Sequence, residues 1–218
     1  MATIFFDYDG TLHDTMLLYG PAFRKGYDSL VRAGWAKPRQ FDDEWIARWL
    51  GWTIPDMWAA FMPNLPDAVW RGASHEIGAE MDRLLEAGAA GLYAGIPEAL
   101  DVLCAAGYDL AILSNSAHKY RDTHRAHFNL DQWFSAYHVA EDYPGLAKWE
   151  YLSLALAEHS APYVLVGDRF HDIEAAVRNN IPSIGCLWGC GDRSELDQAT
   201  VRLAKPEEIP TAIENLLS

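Results

Sequence analysis

The chain has 218 residues, half of them hydrophobic, which is enough for one good core and a smaller second unit. A formal net charge of −14 argues against nucleic acid as a partner and leaves no basic membrane anchor, and no stretch is long and apolar enough to span a bilayer. The N-terminus shows no signal-peptide pattern, and the three cysteines, Cys104, Cys186 and Cys190, lack the paired spacing of a zinc site, so a cytoplasmic protein with reduced thiols is expected.

Thr3 to Phe6 reads as a first buried strand that stops abruptly on two acids, Asp7 and Asp9, before Gly10 and Thr11 break the pattern. From about Asp14 to Tyr93 no strand pattern occurs. Helical patterns dominate there, punctuated by Gly20-Pro21, Pro38, Pro55, Pro63 and Pro66. Six of the nine tryptophans fall in this stretch, and the i, i+4, i+7 spacing of Trp45, Trp49 and Trp52 predicts one helix face, packed as core. "AGAAGLYAGIP" reads as a Gly-rich return passage.

A helix then starts at Pro97 and stops at Gly107. Apolar strands follow at Tyr108–Ser116, Tyr163–Asp168 and Pro182–Trp188, and helical patterns lie at "KWEYLSLALAEH" and "HDIEAAVRNN". Near-continuous apolar strands alternating with helices predict an α/β fold, a doubly wound parallel sheet with a Rossmann-like core. The core is expected over 1–13 and 94–218, interrupted by a helical insertion over 14–93. Ligands of such a sheet sit beyond the carboxyl ends of its strands.

Those ends carry the polar residues in order: Asp7 with Asp9, Ser114 with Asn115, Lys148 ahead of a helix, and Asp168 with Asp172. Any one of these acids alone is more simply a cap or a turn residue, as Asp168 and Asp172 are for the helix near His171. Their recurrence at successive strand ends argues for a shared rim. Four carboxylates against Lys148 would repel one another, and a divalent cation relieves this. Oxygen ligands suit Mg²⁺, and the metal with Lys148 then makes the pocket receptive to a phosphate.

"DYDGTL" resembles the first signature of the haloacid dehalogenase superfamily, an aspartate followed two residues later by Asp-Gly-Thr. "ILSNS" resembles the second, Lys148 fits the third, and "VGDRFHD" fits the fourth. The insertion lies where that superfamily carries a helical cap. The stretches "GDRFHDIEAAVRNNIPSIGCLWGCGDRSEL" and "ARWLGWTIPDMWAAF" look most like phosphoglycolate phosphatase-like members. Trp149 replaces the proline that often follows the signature lysine, a departure those relatives share.

The resemblance implies a Mg²⁺-dependent phosphatase acting on a small phosphorylated metabolite. Asp7 would attack phosphorus to form an aspartyl-phosphate, and Asp9 would protonate the leaving oxygen and then activate water. Asp7, the Asp9 backbone carbonyl and Asp168 would hold Mg²⁺, with Asp172 orienting metal-bound water. The Ser114 hydroxyl and Asn115 N–H would bind the phosphoryl oxygens, and Lys148 would neutralise charge there. Gly10 would supply the sharp exit and Thr11 would support the loop. The alternatives are a β-phosphoglucomutase-type phosphomutase and a non-catalytic binding protein on the same scaffold. The mutases have an Arg three residues after a cap glycine; counted from Gly51, that position is Ile54. Phosphonate-cleaving relatives use a cap lysine, where Arg48 stands here, and true dehalogenases lack the second acid, present here as Asp9. The sequence leaves the substrate and the oligomeric state open.

Overall fold

The computed structural model describes residues 2–218. In chain order the elements are β1 (Thr3–Phe6), α1 (Met16–Arg32), α2 (Asp43–Ala47), α3 (Ile54–Phe61), α4 (Asp67–Glu86), α5 (Ile96–Ala105), β2 (Asp109–Ser114), α6 (His118–His127), β3 (Ala136–Val139), α7 (Lys148–Leu156), β4 (Tyr163–Gly167), α8 (Phe170–Arg178), β5 (Ser183–Cys186), β6 (Val201–Leu203) and α9 (Ile209–Leu217). They form two compact units, one of Met1–His13 with Leu92–Ser218, the other of Asp14–Gly91. Leu92 and Tyr93 belong to the first unit. Leu92 bridges His13, and the Tyr93 N–H donates to the Leu12 carbonyl at 2.9 Å.

The first unit is built on a six-stranded sheet in the order β3-β2-β1-β4-β5-β6. Every neighbouring pair is parallel; Phe5 of β1 stands between Ala111 of β2 and Leu165 of β4. Successive strand side chains point to opposite faces, so an all-apolar strand must be covered on both. Ile4, Phe6, Ile112, Val164 and Val166 pack with Ile96, Leu100 and Leu103 of α5 and with Ile209 and Ile213 of α9. Phe5, Ala111, Leu113 and Leu165 pack on the other face with Tyr151, Leu152 and Ala155 of α7 and with Ala175 and Ala176 of α8. This is the doubly wound architecture that the apolar runs predict. Four strands were expected and six are present. The two additions, β3 and β6, are the edge strands, and only one flank of each is paired.

In the second unit α1 and α4 form the main pair. Phe23, Tyr27 and Leu30 of α1 pack in one cluster with Ala73 and Ile77 of α4. Gly26 lets the two backbones approach, since a Cβ there would collide with Ile77. Pro21 does not end α1, which runs through it for 17 residues. Losing one backbone donor is offset by the buried face that continues beyond it. The expectation that Trp45, Trp49 and Trp52 share one helix face is corrected. Asp42 caps α2 through the Trp45 N–H at 2.7 Å, but α2 stops at Ala47, and Gly51 adopts φ 82° in the turns that follow. The three indoles still meet edge to face, at 5.7 Å and 6.0 Å between successive rings, half-buried on the same cluster. Among the described residues, no helix is long and apolar enough to cross a membrane.

Candidate active site

The strand order reverses between β1 and β4: from β1 the chain proceeds to β2 and β3, then returns to β4 on the other side. A parallel sheet binds its ligands in the crevice beyond such a switch point. Asp7 leaves the end of β1 there, its N–H donating to the Val166 carbonyl of β4 at 2.8 Å. Asp168 leaves the end of β4, and Asp172 lies in the first turn of α8. All three carboxylates are buried, and each offers an oxygen within 4.8 Å of the others.

Lys148, the first residue of α7, closes the group from one side. Its Nζ donates to Asp7 Oδ1 at 2.5 Å and lies 2.7 Å from Asp172 Oδ1. The other oxygen of Asp172 accepts the Arg169 N–H at 3.0 Å. Asp172 is thus both the cap-like acid of α8 and a member of the cluster. Asp168 is fixed by the Thr11 hydroxyl at 3.1 Å and the Cys190 N–H at 2.6 Å. Gly10, at φ 83°, gives the chain its turn beside this carboxylate, which a Cβ would strike.

Three buried acids face one cation, and the protonation energetics reflect the imbalance. Burial, reinforced by Asp172 and opposed by Lys148, raises the Asp7 carboxyl well above its usual range. Burial, then Asp172, pushes Asp168 up to about 7, against the Cys190 N–H, Arg169 and Thr11. Burial alone would lower the Lys148 pKa, but Asp172 and Asp7 raise it, and the ammonium stays charged. An all-oxygen, acid-rich and buried donor set fits a hard divalent cation, whose charge would keep all three carboxylates ionised.

Asp9 stands apart from this cluster. Its Oδ1 accepts the Tyr120 hydroxyl at 2.5 Å and lies 3.7 Å from His13 Nδ1. Tyr8, between the two signature acids, turns the other way, stacking on His13 at 5.4 Å and meeting His124 Nδ1 through its hydroxyl at 2.9 Å. Ser114 is buried at the end of β2. Asn115 follows it, its Oδ1 accepting the Tyr151 hydroxyl at 2.8 Å. The geometry therefore assembles Asp7, Asp168, Asp172 and Lys148 as one cluster and keeps the Asp9 side chain out of it. Tyr120, His124 and Tyr151 were not singled out from the sequence. They reach Asp9, Tyr8 and Asn115 across 111, 116 and 36 residues, a proximity that no local spacing encodes.

Among curated proteins, a 5′-nucleotidase of Pseudomonas aeruginosa is 28% identical over 203 residues, covering 88% of this chain and 86% of its own. A phosphoglycolate phosphatase of Synechococcus elongatus is 26% identical over 229 residues, covering 100% of this chain and 99% of its own. The crystal structure of a predicted phosphatase from Clostridium acetobutylicum superposes with a TM-score of 0.82 at 21% identity over 99% of both chains, a likeness of fold. The family profile described as haloacid dehalogenase-like hydrolase matches residues 1–180. With its sheet order, its switch-point aspartates and that match, the chain belongs to the haloacid dehalogenase-like hydrolases.

Proposed function

We propose that this hydrolase is a Mg²⁺-dependent phosphatase that cleaves a small phosphate monoester through an aspartyl-phosphate on Asp7. The observation that carries the reading is the buried Asp7 carboxylate, held by Lys148 at 2.5 Å and grouped with Asp168 and Asp172. A carboxylate so placed is oriented for attack and has a fixed cation to offset charge on the phosphoryl group. Asp7, Asp168 and the Asp9 backbone carbonyl would hold Mg²⁺, with Asp172 in support. When bound, the ion supplies charge neutralisation among the acids and on the phosphate.

In the first step the Asp7–phosphorus bond forms and the bond to the ester oxygen breaks, with Asp9 giving that oxygen a proton. In the second, Asp9 takes a proton from water, the water oxygen attacks phosphorus, and the Asp7 carboxylate is released with inorganic phosphate. The separate placement of the Asp9 side chain, bonded to Tyr120 rather than joined to the other acids, supports a proton-carrying role. The Ser114 hydroxyl and Asn115 N–H bind the transferring phosphoryl oxygens. Residues 14–91 take the role of a substrate-selecting cap.

The test is a screen of phosphorylated metabolites for released phosphate with and without Mg²⁺. Phosphoglycolate and nucleoside 5′-monophosphates come first, because relatives carry those names. Release that depends on Mg²⁺ and on Asp7 is expected. Binding of phosphate esters without release under any condition would favour a non-catalytic binding protein.

A further inference from the structure

Helix α7 carries a second buried polar side chain besides Lys148. Tyr151 lies one turn further along, is fully buried, and donates its hydroxyl to Asn115 Oδ1 at 2.8 Å. Its ring stacks on Tyr143 at 5.2 Å between centroids and 8° between planes. Behind Tyr143 runs a chain of 3.0 Å contacts: Tyr143 hydroxyl to His138 Nδ1, His138 Nε2 to His159 Nε2, and His159 Nδ1 to Asp109 Oδ2. With both imidazoles neutral and Asp109 accepting, His159 holds its proton on Nδ1 and accepts at Nε2 from His138. His138 Nδ1 in turn accepts from Tyr143. Every donor in this chain has an acceptor, and the stack against Tyr151 rests on a fully bonded backing.

Asn115 sits in the short loop between β2 and α6. Loop backbone is mobile unless something ties it down, and the direction of its N–H follows from that tie. Lys148 and Tyr151 stand at i and i+3 on one helix face. One rigid element therefore fixes both the cation beside Asp7 and the side chain of the residue whose N–H is assigned to the phosphoryl group.

We propose that Tyr151 is a positioning residue for phosphoryl transfer: its hydroxyl holds Asn115 so that the backbone donor meets the phosphoryl oxygens in register with Lys148. The proposal rests on the phosphatase reading above. A donor held in place acts most strongly where charge spreads over the equatorial oxygens, in the transition state. Removing the tie lowers kcat more than it changes KM.

Tyr151→Phe keeps the buried ring and its stack and removes only the hydroxyl. With Mg²⁺ present, kcat should fall about tenfold, within the range that small misplacement costs, while KM moves less than about twofold. Orthovanadate, a trigonal-bipyramidal stand-in for the transition state, should bind more weakly by about the same factor in titration calorimetry. The double variant Tyr151→Phe/Asn115→Ala should be no worse than Asn115→Ala alone, since both changes cut one tie. The melting temperature reports folding. If Tyr151→Phe does not fold, Asn115→Ala carries the same expectation from the loop end. Unchanged kcat and vanadate binding, or losses that multiply in the double variant, would overturn the proposal. A wild-type chain that binds vanadate with these losses in the variants but hydrolyses no ester would overturn the phosphatase reading and leave the positioning role standing. A wild type that does neither would overturn both.

Discussion

Asp7 and Asp9 are two residues apart, yet they occupy different chemical surroundings. Asp7 is buried in a group with Asp168, Asp172 and Lys148, and Asp9 meets Tyr120 and His13. Two acids in one motif can divide nucleophilic and proton-transfer work because their surroundings differ. Asp9→Asn keeps the backbone carbonyl and removes the carboxyl proposed to carry the proton. Turnover of an alkyl phosphate should drop about 10²–10⁴-fold, the usual worth of general acid–base help. In single-turnover phosphorylation, p-nitrophenyl phosphate, whose leaving group needs no proton, should lose much less. Equal losses on both substrates would remove Asp9 from the acid's role. At this scale the sequence was informative because the signature residues gather at strand ends and helix starts: Asp7 and Asp168 directly follow β1 and β4, Ser114 ends β2, Lys148 opens α7 and Asp172 lies in the first turn of α8. Tyr120 and Tyr151 were not legible, since their partners come together only through tertiary packing.

Strands β1, β2, β4 and β5 could be read from their apolar runs because sheet and helices bury them from both sides. β3, "AYHV", carries a histidine and a tyrosine, and β6, "VRL", has an exposed arginine, so neither shows that pattern. Edge strands pair on one flank only and tolerate polar residues, which hides them from hydrophobic periodicity. The tryptophan spacing misled for a related reason: aromatic packing brings Trp45, Trp49 and Trp52 together across turns rather than along one helix. The histidine of β3 also has a thermodynamic consequence. Burial, then the neighbouring His159, lowers the His138 pKa below its ordinary 6.5, against Glu158 and Asp142. The unfolded chain therefore takes up a proton near pH 6.5 that the folded chain resists. Its contribution to stability is full above that pH and is lost as pH falls toward the lowered folded value. Melting temperature should thus drop between about pH 7.5 and 5.5, and the drop should shrink in His138→Gln, which keeps a donor toward His159. An identical pH dependence in the two proteins would contradict this assignment.

For the molecule as a whole, a net charge of −14 sets the chain against an anionic substrate, and only a local reversal of sign admits one. Lys148 alone cannot provide it against three buried carboxylates. Mg²⁺ should therefore raise the melting temperature as well as support turnover; a ligand at about a hundred times its dissociation constant stabilises by about 2.7 kcal/mol. Asp168→Asn should weaken that shift. Mn²⁺ should substitute, Ca²⁺ should serve poorly because its looser coordination misplaces the nucleophile, and chelation should abolish phosphate release. Full activity in excess chelator would refute the metal requirement.

In the proposed reaction the phosphoryl group passes through Asp7. Acid-quenching the enzyme during turnover of a substrate found in the screen, followed by mass spectrometry of its peptides, tests this directly. One phosphoryl group is expected on the peptide containing Asp7, absent from Asp7→Asn, whose turnover falls to the assay floor. Steady turnover in Asp7→Asn, or a phosphoryl group trapped on another residue, would contradict it.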